Sequence, residues 1–315
     1  MKFSVDAVIP TLNCATDLEK CLTSIHNLNE SSSVNLMIID AGSKDETLKI
    51  AKDFGCEVHI QKGMFSNGIN GARNYGLKFC KSNFYWQVDA DNEFVGKDSY
   101  VNLLSPLIEE PELNISNPLP IKIDETNKFI NYLATLDRIN MEKMIIRGND
   151  SKNFVIINDL DYGLNNGSII KKEDLMKVGG YDFDIRTLTR LRLKKLSKSA
   201  IVKNSYYKHH SVSSLIDYAK KLSRRVKLYH WFLENDVKNF IFPINSEELQ
   251  NLTPKTGSTS IGSSLNQSIE MLIKTRDLIW CWGLIFPLPY AIATIRNPIK
   301  SIKVYREFIS DSNFG

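Results

Sequence analysis

The chain alternates between short, continuous apolar runs and longer stretches in which apolar residues recur at helical spacing. Residues 6–10 form an apolar strand that breaks at Pro10-Thr11-Leu12-Asn13. A helix is predicted over about residues 15–25, where Leu18, Leu22 and Ile25 share one face. Residues 34–40 are a second apolar strand, closed by Asp40. Ala41-Gly42-Ser43-Lys44-Asp45 is a turn, with Ser43 or Asp45 as the N-cap of a helix that Gly55 stops. Residues 56–60 are a third strand, 63–70 a Gly/Asn-rich loop, and 71–79 a helix with Ala72, Arg73 and Asn74 in its first turn. Phe84-Tyr85-Trp86-Gln87-Val88 is a fourth strand, cut off by Asp89 and Asp91.

Repeated strand–helix alternation with short loops predicts an α/β fold: a mostly parallel central sheet with helices on both faces. Ligands bind such sheets beyond the carboxyl ends of the strands. Pro10, Thr11, Asn13, Asp40, Asp89 and Asp91 all fall at strand ends, so the topology gathers them on one edge. Two acids at a buried strand tip are costly unless a cation sits there, and a hard divalent ion with oxygen ligands suits them. An ordinary Asp/Asn turn is the plainer alternative. The G-x-G-x-x-G fingerprint is absent after the first strand, and so is the G-x-x-x-x-G-K-[ST] loop. Both absences disfavour hydride transfer and P-loop nucleotide hydrolysis.

The second half has a different pattern. Helices are predicted over 98–108 and 128–145; the latter carries Phe129, Tyr132, Leu133, Leu136, Met141 and Met144. Residues 215–233 interleave Leu215, Tyr218, Leu222, Val226, Tyr229 and Trp231 with Lys220, Lys221, Arg224, Arg225 and Lys227. A basic amphipathic helix of this kind suits an anionic membrane surface. Residues 253–264 read as a Ser/Thr/Gly-rich loop. Residues 278–295 carry no charge but include Pro287 and Pro289, which predicts an in-plane or re-entrant pair of membrane helices more than a clean span. Residues 300–308 are again basic. A soluble helical subdomain that buries the aromatics is the alternative. The expected division is residues 1–212 for the sheet domain and 213–315 for a helical, membrane-associating region.

Bulk properties bound this picture more than they change it. The 315 residues are 43% hydrophobic and 24% charged, with a net charge of +4 that does not by itself imply nucleic acid. Five scattered cysteines (Cys14, Cys21, Cys56, Cys80 and Cys281) suggest reduced thiols in a cytosolic setting. The opening Met-Lys-Phe-Ser-Val-Asp runs straight into a strand, and no signal peptide is expected.

Four motifs carry a family resemblance. Pro10-Thr11-Leu12-Asn13, Ile39 through Thr47, Gly71-Ala72-Arg73-Asn74 and Val88-Asp89-Ala90-Asp91-Asn92 are similar, in order and spacing, to glycosyltransferase family 2, whose fold is GT-A. The resemblance covers roughly residues 1–95. It continues more weakly through Asn166-Gly167-Ser168, Val178 through Asp182, and His209-His210. It implies that Pro10, Thr11, Asn13 and Asp40 line a uridine or guanosine pocket, with Asp40 accepting from base or ribose. Capping of the Gly42-Ser43 turn is the alternative role for Asp40. Arg73 would face the diphosphate of a nucleotide diphosphate sugar from the start of its helix, with Asp89 reaching ribose or a water. Asp91 and Asp89, joined by His209 or His210, would hold Mn2+ or Mg2+.

The family places an acidic pair a few residues after the Gly-Gly-aromatic-Asp motif as general base. Here that neighbourhood holds Arg186, Thr187 and Arg190. Asp184 is the nearest carboxylate and Asp182 the next. Three readings stay open: Asp184 is the base, the acceptor is already ionised, or turnover has been lost. Arg186, Arg190 and Arg192 fit an anionic acceptor. The expected function is an inverting, metal-dependent hexosyl transfer from a UDP- or GDP-sugar to a polyprenyl-phosphate or lipid-linked acceptor. The expected place is the cytosolic membrane face, peripheral or monotopic. A polysaccharide acceptor and a non-catalytic, nucleotide-sugar-binding subunit are the alternatives.

Overall fold

The structure is a computed structural model and describes residues 3–61, 68–121, 128–157, 166–181 and 198–210, with 214 and 216. The chain divides into two compact units, residues 1–121 with 137–211, and residues 122–136 with 212–315. Of the second unit, the start of one helix and residues 214 and 216 are described.

The first unit begins as the alternation predicts. Strand β1 (Val5–Thr11) is followed by α1 (Ala15–His26), β2 (Val34–Asp40), α2 (Thr47–Asp53), β3 (Glu57–Ile60), α3 (Gly68–Leu77) and β4 (Phe84–Gln87). Next come β5 (Asn92–Val95), α4 (Ser99–Glu109), β6 (Leu113–Pro120), α5 (Lys128–Arg147), β7 (Asn149–Asp150), β8 (Phe154–Ile157), β9 (Ile169–Lys171), α6 (Lys172–Lys177) and β10 (Lys198–His209). All ten described strands form one sheet in the order β3-β2-β1-β4-β9-β6-β10-β8-β7, with β5 pairing β10 off this path.

The sheet is mixed, which corrects the expectation of a mostly parallel one. β1 pairs in parallel with β2 and β4, and β2 with β3. Beyond β4 the direction changes: β9 runs antiparallel to both β4 and β6, and β10 runs antiparallel to β5 and β8. Short strand–helix–strand connections force the first half to be parallel. The second half lacks this regular strand–helix–strand alternation, and mixed sheets of this kind are common.

Both faces of the parallel half are buried, so its strands read as unbroken apolar runs. On β1, Val5, Ala7 and Ile9 enter one core and Val8 the other. On β4, Phe84 and Trp86 face the first core and Tyr85 the second. The Trp86 ring lies 4.6 Å from Phe94 and 5.4 Å from Tyr100, contacts worth about 0.5–1.5 kcal/mol each beyond area burial. Helix α3 comes so close to β1 that a Cβ on Gly76 would sit 2.5 Å from a Val8 methyl. One charge interrupts β1. Buried Asp6 accepts from Asn35 Nδ2 (2.8 Å), Ser82 Oγ (2.9 Å), and the backbone amides of Lys81 (2.6 Å) and Ser82 (2.7 Å). Those donors replace its hydration and tie the approach to β4 onto the start of β1.

Candidate active site

The ends of β1 and β2 meet in register, Thr11 opposite Asp40 and Pro10 opposite Ile39. Asp40 is fully buried. Its Oδ1 accepts from the amides of Gly42 (2.7 Å) and Ser43 (2.8 Å), and its Oδ2 from Thr11 Oγ1 (2.9 Å) and Ser43 Oγ (2.5 Å). A carboxylate offers about four lone-pair positions, and protein donors meet all of them. Capping of the Gly42-Ser43 turn is therefore directly visible. Asn13, at a φ of 48°, accepts from Lys44 N through its Oδ1 (2.8 Å), and its backbone N–H donates to Ser43 Oγ (2.8 Å). Cys14 N donates to Thr47 Oγ1 (3.0 Å) and Ala15 N to Asp45 Oδ2 (3.2 Å). The two loops form one cross-linked wall at this edge.

Past the end of β4 lies the acidic pair. Asp89 N donates to Asn92 Oδ1 (3.0 Å) and Asn92 N to Asp89 O (2.9 Å), a tight turn that carries Asp91 at its tip. β5 then pairs antiparallel with β10, which sets His209 opposite Asn92. One ligand atom from each of Asp89, Asp91 and His209 lies within 4.8 Å of the others. His209 Nε2 is 3.3 Å from Asp91 Oδ1. Two carboxylates and an imidazole converging at a strand end fit a six-coordinate divalent ion, and the imidazole favours Mn2+ over Mg2+.

His210, the other histidine expected here, is not in the cluster. Its Nε2 lies 2.8 Å from Glu93 Oε2, and Lys208 Nζ donates to Glu93 Oε1 at 2.9 Å. Successive strand residues point to opposite sides, so only one of the two histidines can face Asp91. Burial pushes the Glu93 carboxyl up, but its bonds from Lys208 and His210 outweigh this and hold it below its usual range.

Arg73 also departs from expectation. Helix α3 spans Gly68–Leu77, so Arg73 lies in its second turn, not its first. The side chain is fully buried, donating to Asp89 Oδ1 and, at 2.8 Å, to Asn70 Oδ1. Burial disfavours the guanidinium charge, and the neighbouring Asp89 restores it. Arg73 thus anchors an acid of the cluster, because a cation at this depth needs a carboxylate partner.

The adjacent residue of α3 reaches the other way. Asn74 Oδ1 accepts from Tyr181 N (2.7 Å) and its Nδ2 donates to Tyr181 O (2.5 Å). Gly180 has a φ of +79°, and a Cβ there would meet Asn74 Oδ1 at 2.5 Å. The Tyr181 ring lies 5.6 Å from the Arg73 guanidinium carbon. Asp182 and Asp184 lie outside the described residues, as do Arg186, Arg190 and Arg192. Asn74 had entered only as a letter of a motif, and Asn166 likewise. Asn166 Nδ2 sits 3.0 Å from His209 Nε2 and 3.3 Å from its Nδ1.

A cavity of about 580 Å3 opens at the opposite ends of the strands, lined among others by Asp6, Asn35, Glu57 and Lys81. It contains no member of the acidic cluster. Among the described residues, no helix is long and apolar enough to cross a membrane. The segments 278–295 and 300–308, and all of 215–233 except Ile216, lie outside those residues.

Comparison with known proteins follows the same lines. The family model described as Glycosyl transferase family 2 matches residues 6–163, half of the 315-residue chain. An uncharacterized glycosyltransferase of Mycoplasma genitalium is 36% identical over 106 residues, which are 31% of this chain and 34% of that protein. The match thus spans about a third of that relative's length. Among solved structures, a mannosyltransferase of Pyrobaculum calidifontis in complex with GDP-Man and Mn2+ superposes with a TM-score of 0.52 at 13% identity, covering 98% of this chain and 85% of that one. Staphylococcus aureus TarS gives a TM-score of 0.52 at 15% identity, covering 97% of this chain and 55% of that one. At these identities the likeness is one of fold.

Proposed function

The chain belongs to glycosyltransferase family 2, and from that premise we propose that it is an inverting hexosyltransferase using a UDP- or GDP-sugar. The observation that carries this reading is the convergence of Asp89, Asp91 and His209 beside the Thr11–Asp40 wall. Asp91 and His209, with Asp89, would hold Mn2+ or Mg2+. Bound there, a divalent ion supplies positive charge against the leaving nucleoside diphosphate. The chain's own groups do the rest. Arg73 holds Asp89 in place through a buried ion pair. The wall of Pro10, Thr11, Asn13 and Asp40 receives the nucleoside.

In the transfer, an acceptor oxygen attacks the anomeric carbon from the face opposite the diphosphate. The new carbon–oxygen bond forms as the bond to the diphosphate breaks. The acceptor proton goes to Asp184, or to Asp182; an acceptor that is already a phosphate needs no base.

For the acceptor we favour a polyprenyl phosphate or lipid-linked glycan at the cytosolic membrane face. Support comes from sequence: Arg186, Arg190 and Arg192, the basic aromatic stretch 215–233 and the uncharged stretch 278–295. Because the usual acidic pair is missing, a nucleotide-sugar-binding subunit without turnover is the second reading.

One assay separates them. Detergent-solubilised protein is incubated with Mn2+, radiolabelled UDP- and GDP-sugars and a membrane lipid extract. Label entering the organic phase, and lost with Asp91→Asn, is the expected result. Label only in a polysaccharide fraction rejects the lipid acceptor. Tight nucleotide binding without turnover rejects catalysis.

A further inference from the structure

The ends of β1 and β2 decide which polar groups a nucleoside can reach. Thr11 is only 3% exposed, and Pro10 and Asp40 are buried. Leu12 and Asn13, the two residues that follow β1, are exposed. Of the four residues in the nucleoside wall, Asn13 alone reaches solvent.

Its amide is held in one sense. The Lys44 N–H is a donor and can meet only the oxygen, so Oδ1 faces the loop at 2.8 Å. The backbone is pinned as well: φ is 48°, a left-handed conformation that asparagine accepts readily, and the Asn13 N–H donates to Ser43 Oγ. Nδ2 is left on the other arm of the amide, and no acceptor meets it among the described residues. It offers two N–H donors at the edge of the wall. The carboxylate that could have offered acceptors there is occupied. Both oxygens of Asp40 are taken by Thr11, Gly42 and Ser43.

The wall thus presents donors and no free carboxylate. Uracil and guanine differ in what they ask of such a surface. Uracil carries two carbonyls on either side of one N–H. Guanine carries one carbonyl beside two adjacent donors, N1–H and N2–H2, which a carboxylate pairs with best. We infer that Asn13 is the specificity-determining residue of the nucleoside wall. Its Nδ2 donates to a uracil carbonyl, and the wall takes a uridine diphosphate sugar in preference to a guanosine one. Leu12, 40% exposed beside it, gives the base an apolar surface.

This preference rests on the nucleotide-sugar reading above, and two nucleotides tell the two apart. UDP and GDP are titrated in turn into the full chain with Mn2+ in a calorimeter. The wild type should bind UDP tighter by roughly tenfold or more, because guanine's donors are left unpaired. Equal affinities, or a tighter GDP, overturn the inference. If neither nucleotide binds, the nucleotide-sugar reading fails and takes the inference with it. Asn13→Asp then tests the residue. It keeps an oxygen for Lys44 N and tolerates the left-handed backbone, but turns an acceptor outward in place of a donor. Its added charge acts on both diphosphates alike, so the ratio of affinities is the readout. The preference for UDP should fall by roughly tenfold or more. A structural role alone would weaken both nucleotides equally, and an unchanged ratio overturns the inference.

Discussion

The two halves of the sheet contribute to the same site by different means. In the parallel half, β1, β2 and β4 each end in a polar residue at the same edge, and a local turn places each one. In the mixed half, His209, Asn166 and Tyr181 reach that edge through strand register and side-chain bonds to residues far away in sequence. His209 is there because β10 pairs antiparallel with β5. Tyr181 is there because Asn74, 107 residues earlier, clamps its backbone. The parallel half sets out the Thr11–Asp40 wall, while the mixed half completes the Asp89–Asp91–His209 cluster.

Substitutions at the junction should expose this division, starting with the largest effect. Asp91→Asn should lower kcat/KM for sugar transfer by about 1,000-fold or more, since a metal-held charge contributes several kcal/mol to the transition state. Activity within tenfold of wild type, in the same assay, would place the charge elsewhere. Arg73→Met leaves Asp89 buried without its cation and should cost about 3–5 kcal/mol of stability in urea unfolding. A loss below about 1 kcal/mol, as for an exposed pair, would mean that the ion pair is not buried. Asn74→Ala removes both bonds to Tyr181 and should cost about 1–3 kcal/mol, mostly from orphaned backbone groups. The smallest effect should come from His210→Ala: Mn2+ affinity unchanged and stability lowered by no more than about 1 kcal/mol. Its partner His209→Ala should weaken Mn2+ binding in the same titration. Equal losses from the two histidines would break the distinction drawn between them.

The parallel half was legible because its signals are local. Strand β2 reads straight from Val34–Asp40, and α1 from the spacing of Leu18, Leu22 and Ile25. Asp89 and Asp91 stood out because they close a buried apolar strand at the same edge as Thr11 and Asp40. Arg73 was found as a residue, but its burial and its bond to Asp89 were not, since the start of α3 was set three residues late and burial is not written in a motif. Strands β5 to β9 were not anticipated, and with them went the direction of half the sheet. Leu113–Pro120 shows why: it mixes Asn, Ser and Pro with Leu and Ile, yet every residue of it is buried. Asn166 entered only as a letter of the Asn166-Gly167-Ser168 motif, with no sign of what it would touch.

By itself, then, the sequence determined which strand ends bear chemistry and that they share an edge, because strand period, helix period and short loops are properties of neighbouring residues. Only the tertiary structure decided which histidine joins Asp91, which carboxylate holds Arg73 and what Asn74 and Asn166 touch. Those choices depend on the register between strands and on desolvation at depth. Both arise from contacts between segments that are neighbours only after the chain has folded.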